Sequence, residues 1–254
     1  MFAQRNLCLI IGVFAFVDDL LGRRKSPFGI VWGQLSRGIG IVLVMIAGII
    51  QGFGVSSIFI ALLVQPLNIS DMQPGSTCIV TMIMCIVTMI LMVIVGSADV
   101  SELPAFYTPL LLFVVCLGYS PLDFSGKIML GEVGNHTFAI ALGVCFYIMG
   151  GLAGVIVMFI ATTILIAFVR RNTLKVFFRQ NLGLLDPTFG DYFMDVLTGG
   201  GLGDLLRKWI LEDKQYNIKN PLLVNLGFRR LLYNPHASRK QSYVPRDNSR
   251  LLGK

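Results

Sequence analysis

The sequence predicts an all-α protein: a polytopic transmembrane helical bundle of about seven spans, followed by a basic cytoplasmic C-terminal tail. Three observations carry this. Hydrophobic residues make up 55% of the 254-residue chain and charged residues only 14%, against about 25% charged in an ordinary soluble domain. Apolar runs of membrane-crossing length recur along residues 7–169. Charge is also segregated. Between Ser26 and Thr163 the only basic residues are Arg37 and Lys127, whereas from Arg170 onward 15 Lys and Arg stand against 7 Asp and Glu. The chain therefore divides into a transmembrane domain, 1–169, and a basic tail, 170–254, expected to be partly disordered from about residue 234, where Pro, Ser, Arg and Lys dominate.

A span takes about 20 apolar residues. Leu7–Leu21 is the first. Ile39–Leu67 is too long for one span and is interrupted at Gln51-Gly52-Phe53-Gly54, a turn signal that splits it into two short helices. Cys78–Val95 and Ala105–Tyr119 are one span each. Thr137–Val169 again reads as two helices, broken at Gly150-Gly151. With both splits, Gly22–Gly38, Asn68–Thr77, Pro121–His136 and the tail fall on one face and hold nearly every Lys and Arg. The opposite face receives Ser97–Pro104, with Asp99 and Glu102 and no base. The positive-inside rule places the first set in the cytoplasm of a multi-pass protein of the cell inner (plasma) membrane.

The remaining features read more simply. Cys8, Cys78, Cys85, Cys116 and Cys145 lie in or beside apolar segments without metal-ligand spacing, so they are small buried hydrophobes. The apolar run Leu7–Val17 ends in Asp18-Asp19 without a small-residue cleavage pattern, unlike a signal peptide. In the tail, Leu174–Phe178 and Leu202–Leu211 are candidate short amphipathic helices. Gly199–Gly203 reads as a flexible turn, lacking the strand and the Lys-Ser/Thr of a phosphate loop. A basic segment directly after a span points to anionic membrane lipids as its partner. No nucleic acid is expected, because aromatics do not interleave its bases.

Acidic residues near a bilayer are costly and usually functional. Five of the seven that precede residue 170 lie on the expected cytoplasmic face: Asp18, Asp19, Asp71, Asp123 and Glu132. Asp18-Asp19 closes the first span. It is either a helix end meeting water or a carboxylate pair able to hold Mg²⁺ or take a proton. Asn68-Ile69-Ser70-Asp71-Met72-Gln73-Pro74-Gly75 is either an ordinary interhelical turn or a binding loop. Asp123 to His136 is a glycine-punctuated loop with an acid, a base, an amide and an imidazole, and its glycines allow a phosphate to approach the backbone.

Taken together, these three segments resemble the ordered motifs of the polyprenyl-phosphate N-acetylhexosamine-1-phosphate transferases, the family of phospho-MurNAc-pentapeptide translocase and the bacterial GlcNAc-1-phosphate transferases. Phe16–Gly22 is similar to a span ending in Asp-Asp. Asn68–Gly75 is similar to an Asn-x-x-Asp loop. Met129–Asn135 is similar to a Met-Leu-Gly-Asp-x-Gly-Asn segment, followed by the small-residue helix Ala139–Gly143. The likeness covers roughly residues 7–169, with Glu132 standing where the family has Asp. The spans that precede the Asp-Asp segment in that family are missing here, so the resemblance implies an N-terminally truncated or divergent member.

The resemblance implies transfer of a sugar-1-phosphate from a UDP-sugar to a polyprenyl phosphate, with Mg²⁺ (or Mn²⁺) as cofactor. By the same resemblance, Asp18 and Asp19 are the catalytic residues and Glu132 and Asp71 the metal ligands. Asn68, Asp71, Lys127, Asn135 and His136 bind substrate, and a homodimer is compatible with the chain. Two other readings stand beside it. One is a catalytically impaired or truncated relative acting as a membrane scaffold or regulator. The other is a small membrane transporter, which would place acids facing each other at the bilayer midplane rather than at one face.

Overall fold

The computed structural model describes residues 2–22, 24, 31–94, 103–212 and 214–234, and these contain helices and no β-strand. The chain divides into two compact units, Met1–Ile166 and Ala167–Lys254.

The first unit opens with α1 (Phe2–Leu21) and α2 (Trp32–Ile50). In α1 the buried residues Leu7, Ile11, Ala15 and Asp18 recur at helical spacing and line one face. The buried face of α2 includes Gly33, Ser36, Gly40, Val44 and Gly48. Its small side chains let the two helices approach closely. A Cβ on Gly40 would lie 2.7 Å from Phe14 Cβ, and Ser36 Oγ donates to the Phe14 carbonyl at 2.7 Å.

The Gln51–Gly54 break is real: α2 ends at Ile50, and Gly52 and Gly54 take positive φ. The chain then returns through α3 (Ser56–Leu62) and α4 (Val64–Ser70). A Cβ on Gly48 would lie 2.5 Å from Ser57 Cβ, so α3 starts beside the end of α2. Next come α5 (Ser76–Ile94) and α6 (Leu103–Phe124), which pack on each other.

Helix α7 (Gly131–Val169) is interrupted by non-helical backbone at Gly150 and Gly151. Gly143 packs on Ile60, Phe159 packs edge-on against Phe59, and a Cβ on Gly154 would press on the Phe146 carbonyl at 2.7 Å. In a straight helix residues 143 and 159 would be about 24 Å apart. Both instead reach neighbouring residues of α3, so the chain reverses at the glycine pair and α7 is a helical hairpin.

The outward faces are apolar. Leu9, Val13, Phe16 and Leu20 of α1 and Ile83, Ile86, Ile90 and Val93 of α5 are exposed, and patches of this extent mark contact with something other than water. Among the described residues, four helices are long and apolar enough to cross a membrane: α2, α5, the Phe106–Phe124 part of α6, and α7. That is fewer than the seven spans expected. The difference arises because α1 carries Arg5, Asp18 and Asp19, α3 and α4 are short, and α7 is continuous in length but folded on itself.

The second unit is folded through Asn234, more fully than the sequence predicts. It contains α8 (Arg171–Phe177), continuing as a wider turn over Phe178–Leu182, then α9 (Phe189–Thr198), α10 (Gly201–Leu211), α11 (Pro221–Asn225) and α12 (Phe228–Leu231). Thr188 caps α9 in a reciprocal box with Asp191. Three aspartates on α9 and α10 take arginine partners: Asp191 with Arg229, Asp195 with Arg230 (2.5 Å) and Asp204 with Arg207 (2.5 Å). Gly201 and Gly203 belong to a helix, which corrects the expectation of a flexible turn over Gly199–Gly203. The segment expected to be disordered lies, beyond Asn234, outside the described residues.

Candidate functional site

The three acidic segments, far apart in sequence, meet at one end of the first unit. Their meeting point is Arg37, one turn into α2. Its Nη2 lies 2.8 Å from Asp18 Oδ2, at the end of α1, and 2.7 Å from Glu132 Oε1, at the start of α7. Arg37 Nε adds a second bond to Asp18 Oδ2 at 3.1 Å. With its amide nitrogen turned to Glu132, Asn68 donates to Oε2 at 3.0 Å while its oxygen accepts from Arg37 Nη1. One guanidinium thus ties α1, α2, α4 and α7 together.

Close approach at this point depends on glycine. A Cβ on Gly33 would stand 1.9 Å from Asp18 Oδ1 and 2.9 Å from the Gly22 carbonyl. Any larger residue there would push Asp18 off Arg37. Gly131 takes φ +71°, which L side chains rarely adopt, and so aims its N–H at Asp71 Oδ2 (3.3 Å).

Asp71 forms the second half of the cluster. Its Oδ2 also accepts from Asn135 Nδ2 at 2.8 Å. Burial pushes the Asp71 carboxyl above the ordinary carboxylate range; the bonds from Asn135 and Gly131 oppose this, and nearby Asp123 adds to it. His136 is fully buried, one turn after Glu132. Its Nδ1 faces the Glu132 carbonyl oxygen at 2.5 Å and Oε2 at 3.4 Å. Both are acceptors, so Nδ1 carries the proton and Nε2 is a bare acceptor. Nε2, Asn135 Oδ1 and Asp123 Oδ2 are buried without a hydrogen-bond partner among the described residues.

Six of the residues singled out from sequence are therefore brought together: Asp18, Asn68, Asp71, Glu132, Asn135 and His136. Asp19 is exposed beside them, its Oδ2 3.7 Å from where a Cβ on Gly131 would sit. Lys127 is exposed on the loop before α7, in no ion pair among the described residues. Two residues were missed as site members, Arg37 and Asp123. The signal for Arg37 was present: a solitary arginine in an apolar helix needs a partner.

The two expected metal ligands, Glu132 and Asp71, are each engaged with protein partners in this arrangement. Among the described residues no three His, Cys, Asp or Glu come together in a metal-holding group. Glu132 and Asp18 are spent on Arg37, and Asp71 on Asn135 and Gly131. A divalent ion at Glu132 would require Arg37 to leave it, because like charges repel. Arg37 holds the place of a cation here.

No family model, curated protein or solved structure matches the chain.

Proposed function

We propose that this chain transfers a HexNAc-1-phosphate from a UDP-sugar to a polyprenyl phosphate in cell-envelope glycan synthesis, as a multi-pass protein of the inner (plasma) membrane with the Arg37 cluster and the tail cytoplasmic. The observation that supports this best is the convergence of the three motif segments on Arg37. Segments kept apart by whole helices meet at one site only if the fold is built to bring them there.

The crossing pattern follows from the same contact. Asn68 reaches Arg37, near the start of α2, while α3 begins beside Gly48 near its end. The pair α3–α4 therefore travels back along α2. With the reversal in α7, this reading has seven crossings, and α1 and α3–α4 cross as short or charged-ended segments against their neighbours.

In the reaction, an oxygen of the polyprenyl phosphate attacks the sugar-bearing phosphorus of the UDP-sugar. The bond from that phosphorus to the bridging oxygen breaks, and UMP leaves with the electron pair. Both reactants are anions, so fixed positive charge and donors supply the stabilisation. An arriving phosphate competes with Asp18 and Glu132 for Arg37, whose planar fork suits phosphate. Lys127 stands exposed at the mouth of the same loop to meet a second phosphate. Asp19, exposed and unneutralised by Arg37, activates the lipid phosphate by accepting its proton. Asn68 and Asn135 hold the nucleotide, Asn135 through its free Oδ1. Mg²⁺ remains the cofactor that the resemblance implies, and no step above is assigned to it.

The test is a transfer assay in membranes expressing this chain, with radiolabelled UDP-GlcNAc and then a panel of UDP-sugars, undecaprenyl phosphate, with and without Mg²⁺. Label in the lipid fraction, lost in Asp19→Asn, is the expected result. One observation favours a second reading, a catalytically impaired relative: Arg37 already neutralises Asp18 and Glu132. Absence of label across the panel from folded protein would establish that reading instead.

A further inference from the structure

Helix α10 in the second unit presents its apolar side outward. Arg207 and Leu211 are buried, while Leu206, Trp209 and Ile210 are 57%, 81% and 67% exposed. Positions 206, 209 and 210 share one helical face, so a tryptophan and two branched aliphatics form a single ridge. Such a ridge facing water is costly, at about 25 cal/mol per Å² of apolar surface.

The charge around it identifies what covers it. Asp191, Asp195 and Asp204 are each held by an arginine of the same unit. The internal pairing neutralises these acids and leaves the lysines. Arg171, Lys175, Arg179, Lys208, Lys214 and Lys219 are exposed and in no ion pair among the described residues, against exposed Asp186 and Glu212. Lys208 sits next to the ridge on α10. The unit also begins at Ala167, two residues before the end of α7, a helix apolar and long enough to cross a membrane. A basic surface carrying a tryptophan–aliphatic ridge, tethered at a span, matches an anionic headgroup layer: lysines meet lipid phosphates, and the indole sits at the boundary of headgroup and acyl chain.

We propose that α10 docks on the anionic membrane surface by inserting Leu206, Trp209 and Ile210 between lipid headgroups. The chain contains two tryptophans, Trp32 and Trp209, so Trp32→Phe leaves Trp209 as the sole reporter. The full-length variant is reconstituted in vesicles of phosphatidylcholine with phosphatidylglycerol, using lipids brominated high on the acyl chains. The expected result is at least an approximately twofold loss of Trp209 emission to the bromolipid, with weak quenching by aqueous acrylamide. Adding Leu206→Ser and Ile210→Ser reverses the two sensitivities, and vesicles of phosphatidylcholine alone give less bromolipid quenching. Strong acrylamide quenching in the parent would overturn the proposal, since Trp209 would then face water. Quenching by neither agent would also overturn it, since protein would then cover the ridge, whether residues 235–254 or a second copy. Circular dichroism of the Ser variant separates loss of docking from loss of the helix.

Discussion

Arg37 is the residue on which the site turns, and its removal has a direction set by burial. Its guanidinium side chain is 13% exposed and that of Asp18 is 10% exposed. Arg37→Gln leaves two largely buried carboxylates without their cation, which costs about 3 kcal/mol in a denaturant or thermal unfolding measurement in detergent. Gly33→Val acts on the same point by another route. With Asp18 Oδ1 and the Gly22 carbonyl already inside contact distance of a Cβ there, overpacking costs about 1–3 kcal/mol and separates Asp18 from Arg37. Much of this was legible as residue type and order: Asp18, Asn68, Asp71, Glu132, Asn135 and His136 stand out as polar groups breaking apolar sequence. The identity of the organiser was not. Reading which carboxylates an arginine joins requires knowing that α2 lies against α1 and that α4 returns to them.

At the scale of elements, hydropathy and glycine punctuation located the long helices and both breaks. The Gly150-Gly151 pair works because Gly151 combines φ +57° with ψ −143°, a conformation that costs L residues about 1–3 kcal/mol. Gly151→Val is expected to lower stability by at least about 1 kcal/mol and to loosen the Phe59–Phe159 contact, read as greater proteolysis of the hairpin. The tail was less legible. Helix α9 and the short α11 and α12 lack a long periodic stretch, and helices this short are marginal in isolation. Ion pairs between Asp191 and Arg229 and between Asp195 and Arg230 hold α9 to α12, and Thr188 Oγ1 donates to the Val224 carbonyl of α11; sequence spacing reveals none of these. Asp195→Ala, which leaves the 4% exposed Arg230 side chain only the longer contact to Asp204 at 3.8 Å, is expected to cost about 3 kcal/mol and to expose the tail to trypsin before the first unit.

At the scale of the whole molecule, the account requires α3–α4 to cross back through the bilayer. In a cysteine-free background, Gly52→Cys and Ser125→Cys then lie on opposite faces and react with an impermeant maleimide from opposite sides of sealed vesicles. If only α2, α5, α6 and an uninterrupted α7 crossed, both would react from the same side. That measurement fixes the crossings but leaves the meeting of the segments to a more direct one: a double-mutant cycle between Arg37 and Glu132, in α2 and α7. Unfolding free energies are compared for the parent, Arg37→Gln, Glu132→Gln and the double variant. Arg37→Gln strands both Asp18 and Glu132, Glu132→Gln leaves Arg37 paired with Asp18 alone, and the double change strands only Asp18, so the account predicts non-additivity of about 1–3 kcal/mol, with the double variant less destabilised than the sum of the two. Additivity within about 0.5 kcal/mol would contradict it, because the segments would then not share a site.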